Sequence, residues 1–213
     1  MSEAIELGLP AQAFDRQDDG NDLGFYAPPR LVTHIDEAAV GALTSLYRDA
    51  IPPGGRVLDL MSSWISHLPV NVTYAEVVGL GLNAAELAAN PRLSHHFVQD
   101  LNRDPVLPFD DASFDGACCC VSVQYLEQPV AVMREVQRVL KAAAPFVVTF
   151  SDRCFSTKAV LIWQAVNIDR AELVALYLAR AGFLLIEARQ VHVRDRGGDP
   201  LWAVVGRAPD GAR

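Results

Sequence analysis

Polar residues that directly follow short apolar runs are the ones in this chain best placed to do chemistry. Asp59 lies within RVLDL, Asn83 follows EVVGLGL, Asp100 closes HHFVQD, and Val121 and Ser122 lie in FDGACCCVSV. A carboxylate in such a place accepts hydrogen bonds from hydroxyl or amino groups. His34 and His67 add imidazoles, whose near-neutral pKa suits taking a proton from a reacting group. Tyr26, Tyr125, Arg30 and Arg153 are further candidates, the arginines for an acidic group on a ligand. Each residue also has a plainer role open to it. Asp59 could cap a helix, Asp100 could serve a turn, and both histidines could sit at helix ends.

Other chemistries find little support. Cys118, Cys119 and Cys120 are consecutive, so in a strand their side chains alternate between faces and make a poor metal cage. They read as small buried residues in a reducing compartment, and the lone Cys154 reads as structural. The chain has no G-x-G-x-x-G turn, which argues against a nicotinamide cofactor.

The elements that must position these residues alternate along the chain. A helix is predicted after Thr33, which would cap it, with Ile35, Ala39, Leu43 and Leu46 on one stripe and Pro52–Gly55 stopping it. Strands are predicted at 56–60, 76–82, 95–100, 114–123 and 145–150. Their near-continuous apolar content suits burial on both faces. Helices are predicted at 83–90, 129–141 and 169–181, the last with Asp169 and Glu172 at its start and Gly182 at its end. The runs 183–193 and 201–207, joined by a Gly-Gly-Asp-Pro turn at 197–200, read as an antiparallel pair. The whole predicts an α/β, Rossmann-like, doubly wound and mainly parallel seven-stranded sheet with a C-terminal antiparallel hairpin. Ligands of such sheets bind beyond the carboxyl ends of the strands, here after Asp59, Leu82, Gln99 and Val121.

The order VLDLMSSWISHLP, EVVGLGLN, VQDLNRDPVLPFDDASFD and EVQRVLK resembles the class I S-adenosylmethionine-dependent methyltransferases, most of all the broad methyltransferase type 11 family. The similarity covers roughly residues 30–207, and LPFDDASFD is its most specific piece. The resemblance implies S-adenosylmethionine as cofactor and a small-molecule methyl acceptor. It implies cofactor contacts from Asp59, Ser62, Ser63, Asn83, Asp100, Leu101 and Val121, with His34 as the general base. Asp100 would meet the adenine amino group, and the serines would donate to a carboxylate or to the ribose.

Two motifs depart from the family. Its three loop glycines fall on Met61, Ser63 and Ile65. Its ribose-binding acid falls on Gly81, with Asn83 two residues on and Glu86 a turn further. Trp64 reads either as a core anchor of the first crossover helix or as a cavity wall. Lys141-Ala-Ala-Ala stands where the family commonly has Lys-Pro-Gly-Gly. These departures motivate a rival from another class, a non-catalytic methyltransferase-fold binding or scaffold protein.

Composition bounds the rest. The 213 residues suit one domain, and 51% hydrophobic residues suit a packed core. A formal charge of −8 with no basic run argues against nucleic-acid partners. The first residues lack the features of a signal peptide, and no apolar run is long enough to span a bilayer, so a cytoplasmic protein is expected. The polar, Asp-rich residues 1–24 read as a mobile leader before a single methyltransferase-like domain at 25–213. The oligomeric state is left open.

Overall fold

The computed structural model describes residues 2–194 and 198–210. A seven-stranded sheet carries the fold, in the order β3-β2-β1-β4-β5-β7-β6. Its strands are β1 Arg56–Leu60, β2 Glu76–Gly81, β3 His95–Val98, β4 Gly116–Cys120, β5 Pro145–Phe150, β6 Leu184–His192 and β7 Leu201–Arg207. The first five pair in parallel, and β7 runs antiparallel between β5 and β6. The expected architecture is therefore observed. Of the expected 197–200 turn, Gly197 lies outside the described residues.

Period-two alternation assigns each strand residue to a face. Leu58, Leu60, Ala117, Cys119 and Val148 look toward the helices α5 Pro129–Val139 and α7 Arg170–Ala181. Val57, Val77, Cys118 and Val147 look toward α3 Glu37–Ala50. Asp59 shares the second face, because it lies two residues beyond Val57. All four cysteines are free thiols.

Helix starts follow side-chain caps. Asp169 accepts from the amides of Ala171 and Glu172, and Gly182 ends α7 at φ 97°. The α3 helix begins three residues later than its stripe suggested. Its cap is Asp36, not Thr33: Asp36 accepts from Ala39 N at 2.9 Å and exchanges two further hydrogen bonds with Asp199. A carboxylate fixed from across the fold outcompetes a local hydroxyl. The α4 helix, Ala84–Ala89, is capped by Asn83.

Residues 2–24 require a larger correction. Rather than a mobile leader, they form α1 Glu3–Glu6, the start of α2 Asp22–Phe25 and packed turns between them. Ala4, Leu7, Ala13 and Phe14 join the main core. Glu3 accepts from the amides of Val130 and Ala131 at the start of α5, where a helix dipole favours negative charge. Lys158, only 1% exposed, places its Nζ 3.0 Å from Asp22 Oδ1 and 3.1 Å from Asp18 Oδ1. Arg16 bridges Asp22 and Glu127. Local composition shows the acids of this segment but not their distant cations.

The connection 61–75 contains no helix, so the expected first crossover helix is absent. Met61 turns the chain at φ 54° in the left-handed region, where glycine would normally stand. Ala143 does the same at φ 58° within Lys141-Ala-Ala-Ala.

Candidate functional site

A cavity of about 390 Å³ opens beyond the carboxyl ends of β1, β2 and β4, where the parallel topology places a ligand. All the residues expected to contact a ligand from sequence, His34, Asp59, Ser62, Ser63, Asn83, Asp100, Leu101 and Val121, line it. Met61, Trp64 and Ile65 line it too and leave it open.

The wall after β1 is built by a polar network. Ser62 Oγ and Ser66 Oγ donate to Asp59 Oδ2 at 2.6 and 2.5 Å, and Asn90 Nδ2 donates to Ser66 Oγ at 2.9 Å. Ser63 Oγ donates to Glu86 Oε2 at 2.6 Å. The Ser62 and Ser63 hydroxyls thus have acceptors within the protein, Asp59 and Glu86. Asn83 is committed as well. Its Oδ1 caps α4, and its Nδ2 donates to the carbonyls of Tyr26 and Ala27. Its role here is to tether the N-terminal segment over the cavity. Trp64 donates Nε1–H to Val32 O at 3.0 Å and forms cavity wall rather than core.

This network explains the missing acid at the end of β2. Ser62 N donates to Leu80 O at 2.7 Å, which draws the loop across the strand end. A Cβ at Gly81 would lie 2.2 Å from the Ser62 carbonyl oxygen. No side chain fits there. The carboxylate of Glu86, in the first turn of α4, faces the cavity instead. Its Oε1 accepts from Arg30 N at 2.6 Å, and Ser63 holds Oε2, so the group is fixed in place. The sequence signal was an empty Gly81 followed by an acid on the next helical turn.

The other two strand ends are equally well fixed. Asp100 accepts from Asn102 N and keeps its side chain 9% exposed, against the cavity. Val121 stands at φ 43°, a strained value for a β-branched residue, worth about 1–3 kcal/mol. It is held by its amide on Thr149 O and by Gln124 Nε2 on its carbonyl, both at 2.8 Å. Here β4 ends at Cys120, short of the expected Val123, because Val121 leaves the strand conformation.

Electrostatics separate the residues further. Burial pushes Asp59 up to about 6 against the pull of Ser62, Ser66 and Cys118. The native state therefore holds this proton more tightly than the unfolded chain does. Between about pH 4 and 6 the unfolded carboxyl ionises first, and this residue's contribution to stability falls as pH rises. Urea unfolding should show wild type losing up to about 3 kcal/mol relative to Asp59→Asn between pH 4 and pH 7. A constant difference would refute that assignment.

On the opposite wall, burial holds His34 below the ordinary imidazole value; Glu86 opposes the shift, while Arg30 and Arg153 add to it. Burial with His34 nearby pushes His67 down to about 4, and its Nδ1 has no partner. Both imidazoles are neutral at pH 7 and open to a proton. Tyr26, Tyr125 and Phe155 complete this wall. His95, by contrast, is surface, 3.3 Å from Glu76. Among the described residues no cluster of three or more His, Cys, Asp or Glu could hold a metal ion, and no helix is long and apolar enough to cross a membrane.

Comparison with known proteins agrees with this geometry. Residues 55–148 match the family model described as Methyltransferase domain. No curated protein matches the chain in sequence. Among solved structures, the [4+2]-cyclase SpnF aligns over 90% of this chain and 92% of its own, with 17% identity and a TM-score of 0.64. A methyltransferase complex with the Haloferax volcanii Trm112 activator aligns over 83% and 92%, with 18% identity and a TM-score of 0.63. A Mesorhizobium loti S-adenosylmethionine-dependent methyltransferase aligns over 78% and 97%, with 20% identity and a TM-score of 0.56. The seven-stranded sheet is that of the class I S-adenosylmethionine-dependent methyltransferase fold, and residues 55–148 are similar to the family described as Methyltransferase domain.

Proposed function

We propose that the protein transfers a methyl group from S-adenosylmethionine to a small molecule, with Glu86 replacing the family's ribose-binding acid. The observation that carries this reading is a fixed carboxylate facing the cavity while the usual position is sterically closed at Gly81. The residues present fit the cofactor. The cavity falls within the range of about 300–1,000 Å³ typical of small-molecule sites. Asp100 and Glu86 offer separate carboxylates for an adenine amino group and for ribose hydroxyls.

When bound, S-adenosylmethionine supplies a methyl group already activated by its sulfonium. The protein's part is to orient the acceptor and exclude water. Asp100 and Leu101 would hold the base, Glu86 the ribose, and Met61 with Val121 the far end. Asp59, Ser62, Ser63 and Asn83 act behind that surface by fixing the loop and the N-terminal wall. An imidazole nitrogen of His34, neutral at pH 7, would take a proton from an acceptor that carries one.

Calorimetric titration with S-adenosylhomocysteine tests the reading. Hydrogen bonds to a charged group contribute about 1.5–3 kcal/mol, so Glu86→Ala should weaken binding about 10- to 100-fold. An analogue lacking both ribose hydroxyls should bind wild type weakly and Glu86→Ala no more weakly than S-adenosylhomocysteine does. Equal loss of both ligands would reduce Glu86 to a loop strut. No heat with wild type would favour the non-catalytic alternative.

A further inference from the structure

The sheet ends on an open edge at β6. This strand pairs only with β7, and among the described residues no backbone hydrogen bond outside that ladder reaches residues 184–193. The unpaired amides and carbonyls of an edge are a template for another strand, and proteins usually blunt them with proline, lysine or bulges. The segment LLIEARQVHV at 184–193 contains no proline and no lysine. It has two bulges, between Leu184 and Glu187 and between Gln190 and His192, which leave 187–190 as its unbroken stretch.

The side chains of this edge lack partners as well. Residues 187–190 are exposed, and so are the apolar groups that flank them: Leu184 is 55%, Leu185 79% and Val193 64% accessible. Leu185 stands at φ 48°, an angle leucine disfavours, with its side chain in solvent rather than in the core. Glu187 and Arg189 share one face of the strand, and among the described residues neither has an ionic partner.

We infer that β6 is the contact edge of a two-fold dimer of this chain, pairing antiparallel with its own copy about Ala188. The charge spacing selects both the partner and the register. A two-fold axis normal to the sheet keeps every residue on its own face, so only residues of the same parity oppose each other. Centred on Ala188, the pairing sets Glu187 against Arg189 of the second copy, twice. Centred on Glu187 or on Arg189, it sets that charge against itself. Opposite charges across a strand pair stabilise it and like charges destabilise it, so the segment fits itself in one register and rejects the two beside it. The same pairing brings Leu184 and Leu185 of each copy beside the Val193 end of the other, covering apolar groups that the monomer leaves in water. The inference is independent of the methyltransferase reading, because the cavity lies beyond β1, β2 and β4.

Sedimentation velocity across a dilution series tests it, with far-UV circular dichroism reporting that each variant is folded. Wild type should pass from monomer to dimer as concentration rises. Glu187→Arg and Arg189→Glu should each weaken association at least about 10-fold, since each turns two attractive pairs into two repulsive ones. The double reversal, Glu187→Arg with Arg189→Glu, should restore the dimer. Mixed together, the two single variants should pair with each other, because one supplies only cations at these positions and the other only anions. A wild type that stays monomeric throughout would overturn the inference. So would a dimer indifferent to the single reversals, or one that the double reversal fails to restore.

Discussion

Restoring the family's acid at the end of β2 is expected to damage this protein rather than improve it. Gly81→Asp places a Cβ about where the Ser62 carbonyl oxygen now lies, 2.2 Å from the ideal Cβ position. The obstacle is backbone and cannot rotate away. Relief requires moving residues 61–63, which breaks the Ser62 N to Leu80 O bond and strains the donation of Ser62 to Asp59. Overpacking alone typically costs about 1–3 kcal/mol, and the lost buried hydrogen bonds add to it. We expect about 4 kcal/mol lower stability in urea and loss of nucleoside binding. Gly81→Ala should be nearly as harmful, since the clash begins at Cβ. A stable Gly81→Asp protein with tighter S-adenosylhomocysteine binding would show that the loop is free to take the ordinary family path.

Removing the buried lysine is expected to have an effect of similar size. Lys158 Nζ lies 3.0 Å from Asp22 Oδ1, donates to the carbonyls of Asp18 and Gly20, and sits over the Phe25 ring. Breaking a buried ion pair from one side leaves an uncompensated charge and costs about 3–5 kcal/mol. Arg16 still pairs with Asp22 at 2.7 Å, which places Lys158→Ala near the lower end, about 3 kcal/mol. The consequence reaches the site, because Asp22 and Tyr26 form its N-terminal wall. Hydrogen exchange should show the amides of residues 18–26 opening first and ligand affinity falling with them. Unchanged protection in this segment would mean that its apolar anchors, Leu7, Ala13 and Phe14, hold it without the lysine.

These residues also show what was legible in the sequence and why. The strands were, since RVLDL and PFVVTF coincide with β1 and β5 and only buried parallel strands read as unbroken apolar runs. A cavity lies beyond the strand ends that the topology singled out. The N-terminal segment was not legible, because the buried Lys158 that holds Asp18 and Asp22 lies more than a hundred residues away. The loop after β1 was not either. Met61 and, after β4, Val121 adopt left-handed angles that their side chains disfavour, so residue type gave no sign of either turn. Ser62, Ser63 and Asn83 have the residue types for cofactor contacts, yet their polar atoms are satisfied within the protein. Glu86 is functional in this account only because the backbone fills the place its family counterpart would use.

A crystal structure of the protein with S-adenosylhomocysteine tests the central claim most directly. The account predicts the ribose hydroxyls within hydrogen-bond distance of the Glu86 carboxylate, the adenine amino group on Asp100, and the 61–63 segment still crossing the end of β2. A nucleoside held elsewhere with Glu86 turned away, or a loop withdrawn from Gly81 to admit it, would contradict the account.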